Sequence, residues 1–247
     1  MVKKFIQATC ICAAITLTAH AADLQKLDTR IEAAHEVLHA LMMTPDRGIP
    51  DSIASKATCV AVIPGFKKGA FVVGGQYGQG IVSCRTGKGW SAPAFIQMTG
   101  ASFGLQIGGQ STDLVLVATN KDGFQHLLRD KVKLGGDVAI AAGPVGRNSQ
   151  AATTELASAA LLSYSRSKGV FAGVDLTGDV VNQNIEDTNT YYGKSIPYET
   201  ILSGGVPARP SSAHFISVRR LMSSLRAMRS SAASSRRRWS SRLSTLA

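Results

Sequence analysis

Leu24, Leu27, Ile31, Ala34, Leu38 and Leu41 recur at alternating steps of three and four, the spacing that lines one face of a helix. Asp23 stands where an N-cap belongs, and Pro45, Gly48 and Pro50 end the segment. Lys26, Asp28, Arg30, Glu32 and Glu36 lie between the apolar positions and mix both signs. That pattern suits a helix packed on its own domain better than one lying on an anionic membrane. From about Ala57 the period changes. Ala57 to Ile63, Ala70 to Val73, Ile81 to Cys84, Ala94 to Met98 and Leu114 to Ala118 are short runs rich in Val, Ile and Phe, each bounded by Gly, Pro or polar residues. They predict consecutive short strands, mostly antiparallel because the links are too short for crossover helices. Gly123 to Asp130 predicts a brief helix carrying Phe124, Leu127 and Leu128. Ala159 to Arg166 and Val170 to Leu176 flank a hairpin signal at Ser167-Lys168-Gly169. Asn184 to Tyr192 and Tyr198 to Leu202 predict two closing helices.

Glycine refines this picture. Twelve of the 24 glycines lie between Gly65 and Gly109, where they permit bulges, coiling and close backbone approach. The expected fold is therefore α+β: a strongly curved antiparallel sheet or partial barrel, with an N-terminal helix and short C-terminal helices.

The two ends differ from the body. Lys3 and Lys4 precede the apolar run Phe5 to Ala19, and Ala19-His20-Ala21 supplies small residues where a signal peptidase reads. Residues 1–21 are expected to be an export signal, residues 22–205 the domain, and residues 206–247 a basic tail. In an exported chain Cys10 and Cys12 leave with the signal, so Cys59 and Cys84 are a candidate disulfide contributing about 3 kcal/mol; two buried thiols are the alternative. The net charge of +11 suggests a nucleic-acid partner, but nine arginines fall after residue 205 with no acidic residue among them. Without these, Lys3 and Lys4, the body holds 16 basic and 16 acidic residues, so the charge describes the tail and no nucleic-acid face is expected. The tail reads as a disordered extension. Its alternative is a basic amphipathic helix, because Phe215, Val218, Met222, Leu225 and Met228 keep helical spacing among arginines.

Catalytic signatures are weak. Gly100-Ala101-Ser102-Phe103-Gly104 spells the nucleophile elbow of a serine hydrolase, yet three glycines in the seven residues after Ser102 make a poor helix where the elbow needs one. A base could come only from His126 or the tail's His214. Gly74 to Gly80 and Gly87-Lys88-Gly89 lack the order of a phosphate loop. His35 and His39 are spaced as zinc ligands can be, but no third ligand is nearby. The expectation is a non-enzymatic binding module without metal or cofactor.

An ordered series of motifs narrows the class. Ile63-Pro64-Gly65, Gly74-Gly75, Tyr77-Gly78, Gly89 to Phe95, Gly100 to Gly104 with Gln106-Ile107-Gly108, and Asp113 to Leu116 resemble the SYLF lipid-binding domain family. Ala142 to Arg147, Tyr164 to Gly169 with Phe171-Ala172-Gly173, and Asn189 to Gly193 continue the resemblance, which covers about residues 30–205. It implies binding of phosphoinositides or other anionic phospholipids. Eukaryotic relatives also associate with actin at membranes, and bacterial relatives are exported to the cell envelope. With the signal expected here, an envelope phospholipid is the implied ligand, met in the periplasm or cell envelope, with secretion as the alternative. Recognition of a headgroup and its acyl region needs cations beside apolar or aromatic surface. The candidates are Lys67 and Lys68 beside Phe66, Arg85 and Lys88 beside Trp90, Arg147, and Arg166 with Lys168. A structural or partner-binding envelope protein is the alternative, and a Ser102 hydrolase a remote one.

Overall fold

A computed structural model of the chain describes residues 2–44, 48–87, 89–120, 123, 129, 131–145, 159–167, 170–207 and 209, with side chains for all of these except 2–21, 51, 70–73, 102–109 and 171. The three-and-four spacing becomes helix α1 (Val2–Met43). Leu27, Ile31, Ala34, Val37, Leu38 and Leu41 on its inner face are buried. Asp23 is not an N-cap, since the helix runs through it; its carboxylate instead meets Lys26 at 3.1 Å, one turn along the surface. A short helix α2 (Asp51–Lys56) follows Pro50.

The expected short strands are not separate. Cys59–Thr86 forms one strand, β1, and Ala94–Ala118 another, β3, paired antiparallel from Cys59↔Ala118 to Val82↔Ala94. Glycine has no side chain to pack, but it keeps its N–H and C=O, so the hydrogen-bond ladder passes through the glycine-rich stretches. Register shifts between Ile63 and Phe66 and between Ala70 and Val72 bend the ribbon. At the first, Gly65 takes φ 59°, the left-handed region that favours glycine.

The bend makes β1 double back on itself. A Cβ on Gly78 would meet Ile63 at 2.6 Å and Phe66 at 2.7 Å, and one on Gly80 would overlap the Val62 carbonyl. At the far end of the same strand a disulfide joins Cys59 to Cys84. Short β2 (Gly89–Trp90) pairs with the end of β1. On its other edge, β3 pairs first with β8 (Val180–Gln183) and later with β6 (Leu161–Ser167). Beyond β8 lies β4 (Lys131–Lys133); beyond β6 lie β5 (Ile140–Ala142), the one parallel neighbour among the described strands, and β7 (Val170–Gly173). The result is the expected α+β fold, a curled sheet closed into a half-barrel. The β6–β7 hairpin forms with Ser167↔Val170, while the helix expected at 123–130 falls largely outside the described residues.

Because side chains alternate across a strand, the sheet separates two apolar layers. Cys59, Ala61, Ile63, Ala94, Ile96, Met98, Leu114 and Leu116 fill the concave side. Val60, Val62, Phe95, Val115, Val117, Leu162 and Tyr164 face α1. Arg30 fixes α1 there, with its guanidinium 2.5 Å from Asp187, 2.7 Å from Gln79 and 5.6 Å over the Phe95 ring. The closing helices form as expected: α3 (Ile185–Tyr192), N-capped by Asn184 at 3.0 Å from the Asp187 N–H, and α4 (Tyr198–Leu202). They lock the start of β3. Tyr192 donates to the Pro93 carbonyl at 2.6 Å, and the Tyr198 hydroxyl donates to the Phe95 carbonyl. Burial raises the pKa of both phenols, that of Tyr198 to about 12, so they remain protonated donors at any physiological pH.

Candidate functional site at the bend of the sheet

The nominated cations divide between two ends of the half-barrel. Arg85 and Trp90 lie at the disulfide end as a cross-strand pair, the guanidinium 5.2 Å over the indole ring. Arg85 also donates through Nε to the Ala57 carbonyl at 2.9 Å and through Nη2 to the Ala54 carbonyl at 3.4 Å. Its charge thus ties the end of α2 to the sheet. Lys88, Arg147 and Lys168 lie outside the described residues.

Lys67, Lys68 and Arg166 meet at the other end, around the bend. Lys67 is opposite Ser111 and Lys68 opposite Gln110, while Arg166 pairs with Asp113 across β3. Asp113 joins three strands at this point: one carboxylate oxygen accepts the Gly65 N–H at 2.9 Å, and the other lies 2.8 Å from Arg166 Nε and 2.6 Å from its Nη2. That contact neutralises much of the Arg166 charge within the sheet. The two lysines differ because they point to opposite faces. Lys67 is exposed; Lys68 is half-buried, its ammonium 5.9 Å over the Phe66 ring.

The bend also presents residues that were not nominated. Gly78 abuts Phe66, which brings the preceding Tyr77, 46% exposed, to the same end as Lys67. Val170, 45% exposed, starts the second strand of the adjoining hairpin. Gly69 and Gly75 have open space where a side chain would stand. Asp179 faces this end from the start of β8; it is only 4% exposed, and its carboxylate lies against Gly100. Burial raises its pKa to about 6, partly opposed by Lys68 and reinforced by Asp175. Tyr77 already stands in the Tyr77-Gly78 motif, so its position could have been noticed. Nothing in Asp175-Leu176-Thr177-Gly178-Asp179 signals that the last carboxylate is buried.

The backbone at Ser102 does not match a nucleophile elbow. Ser102 pairs with Gly74 in the middle of β3, with strand on both sides, whereas an elbow needs a sharp turn into a helix. Among the described residues no three His, Cys, Asp or Glu side chains are grouped to hold a metal ion.

The Ysc84 family model, described as a Las17-binding protein actin regulator, matches residues 99–226. LAS seventeen-binding protein 3 of Saccharomyces cerevisiae is 35% identical over 170 residues, 67% of this chain and 37% of that protein. SH3 domain-containing YSC84-like protein 1 of Homo sapiens is 35% identical over 171 residues, 68% of this chain and 49% of that protein. The matched stretch is therefore less than half of either relative. These identities and the share of the chain they cover, with the family model over half of it, show that the chain belongs to the Ysc84 (SYLF) family.

Proposed function

We propose that this chain is a non-enzymatic, exported protein that docks on anionic phospholipid headgroups through the bend of its sheet. The observation that carries the reading is that exposed Lys67 and exposed Tyr77 and, from the opposite face of β1, half-buried Lys68 stand at one glycine-open end of the sheet. Cations and an exposed aromatic side chain at one end match a phosphate layer above an acyl boundary. Each lysine near an anionic surface contributes about 1 kcal/mol, so two of them with an aromatic contact give weak, salt-sensitive docking. Residues 1–21 serve as the export signal in this reading, which puts the domain in the periplasm or cell envelope.

Co-sedimentation with neutral and anionic vesicles at low and moderate salt tests it. The domain should bind anionic vesicles alone, lose binding with added salt, and lose it again on charge reversal of Lys67 and Lys68. Removing residues 210–247 should leave binding intact; that cut keeps Arg209, which donates to the Tyr191 carbonyl at 2.6 Å. Binding that disappears with the tail and survives charge reversal would exclude the bend.

The relatives' names favour a second reading. One is called a LAS seventeen-binding protein, so a protein partner in the envelope is the alternative. It is supported if no vesicle is bound and a defined partner protects Lys67 and Tyr77 from chemical labelling.

A further inference from the structure

The register of the sheet sets four strands side by side near the bend. Tyr77 pairs with Thr99, Thr99 with Val180, and Val180 with Lys133. One row farther from the bend, Gln79 pairs with Gln97, Gln97 with Asn182, and Asn182 with Lys131. Paired residues share a face, and the next residue in each strand takes the other. Met98, Val181 and Val132, between the two rows, lie in the concave core, so both rows stand on the face that carries α1. Arg30 of α1 reaches Gln79 at 2.7 Å, whereas Tyr77 is 46% exposed and both lysines at the other end of the rows are exposed.

The surface is cationic at one side and aromatic at the other, with the Thr99 hydroxyl and the amides of Gln97 and Asn182 between. Neither row holds an acidic residue, and among the described residues neither Lys131 nor Lys133 is in an ion pair. Asp137 is turned to the strand edge, where its carboxylate accepts the Lys133 N–H at 2.7 Å. That bond occupies an outward donor of β4, so an extended peptide adding to this edge finds one of its partners taken. A packed protein interface is also a poor match, since such interfaces are depleted in lysine. Phospholipid headgroups match each part: ammonium groups face phosphate oxygens, hydroxyl and amide groups donate to them, and tyrosine settles at the level of the headgroups.

We propose that this face, with Lys131 and Lys133 on β4 and Tyr77 about 14 Å away across three strand spacings, is a second lipid-contacting surface that turns one side of the domain toward an anionic bilayer. This rests on the membrane reading of the bend and adds the side that meets the lipid. Lysines on an edge strand also deter pairing with other strands, a role that would leave them as reactive on a bilayer as in solution.

The test is co-sedimentation of the full chain with phosphatidylglycerol–phosphatidylcholine vesicles, followed by acetylation of the lysines on bound and free protein and mass spectrometry of each site. The vesicles should slow acetylation of Lys131 and Lys133 severalfold, while Lys56, exposed on α2 at the disulfide end, reacts as fast as in the free chain. The Lys131→Gln/Lys133→Gln variant should bind about thirtyfold more weakly at low salt, at about fivefold per lysine, and the gap should narrow as salt is added. Unchanged acetylation of Lys131 and Lys133 on the vesicles overturns this surface whether or not the variant folds, and so does equal binding by the variant; Lys67 shielded in the same experiment would leave the bend reading standing. Shielding of Lys131 and Lys133 without Lys67 would keep this surface and exclude the bend. A chain that does not sediment with the vesicles overturns both.

Discussion

Replacing Asp179 by asparagine should stabilise the fold, and only at the higher pH values. The folded-state pKa of this carboxyl is about 6 against an ordinary 3.8, so the native state binds its proton more tightly than the unfolded chain. Stability from this group is then greatest below about pH 4, falls as pH rises through about 6, and is flat above that. The difference corresponds to about 3 kcal/mol at 1.36 kcal/mol per pH unit. Asparagine keeps the shape and removes the buried charge, so the variant should be more stable than the parent by about 2–3 kcal/mol near pH 8 and equal to it near pH 4. In a domain of this size that is a rise of about 5–10 °C in Tm. Urea unfolding of both chains across this pH range reads it directly. A variant less stable than the parent at pH 8 would refute the reasoning, because attraction between Asp179 and Lys68 would then outweigh the burial that raises the pKa.

Other substitutions test the doubled-back strand and the helix docking. Gly80→Ala would drive a methyl into the Val62 carbonyl and should cost about 1–3 kcal/mol, while Gly75→Ala, with open space around it, should change stability by less than about 0.5 kcal/mol in the same denaturation assay. Reducing Cys59–Cys84, whose partners are 25 residues apart, should remove about 3 kcal/mol; since both cysteines are buried, the reductant should act only as the chain opens. Arg30→Met should cost about 2 kcal/mol by leaving Asp187 without its guanidinium in a half-buried site. A double-mutant cycle with Asp187→Asn should show positive coupling of about 1 kcal/mol.

The features that could be read directly are those encoded within one turn or one strand pair. The three-and-four spacing of Leu27 to Leu41 marked the buried face of α1, and the segment from Asn184 to Tyr192 was legible as α3, whose N-cap at Asn184 and left-handed C-cap at Gly193 the structure supplies. Ser167-Lys168-Gly169 marked its hairpin. The glycine density between Gly65 and Gly109 pointed to a strongly curved sheet. The apolar runs in that region looked like separate strands because periodicity reports which residues are buried, and the glycine stretches between them bury little. Strand continuity is set by main-chain pairing, which glycine sustains as well as valine does.

Features that depend on partners distant in the chain were settled by tertiary structure. Arg166 reads as a free cation until Asp113, 53 residues away, is placed opposite it in the sheet. Asp179 reads as an ordinary turn aspartate until β8 docks on β3 and seats it against Gly100. Tyr77 and Lys67 come to one end because β1 reverses at Gly65 and the glycines beyond it, and Gly78 then packs on Phe66. The local pattern thus determined which segments form helix or strand and that the sheet must curve. Only the closed half-barrel decided which charges are neutralised, which carboxylate is buried and which side chains share a surface, because burial and Coulomb energies depend on distances in space that no window of sequence contains.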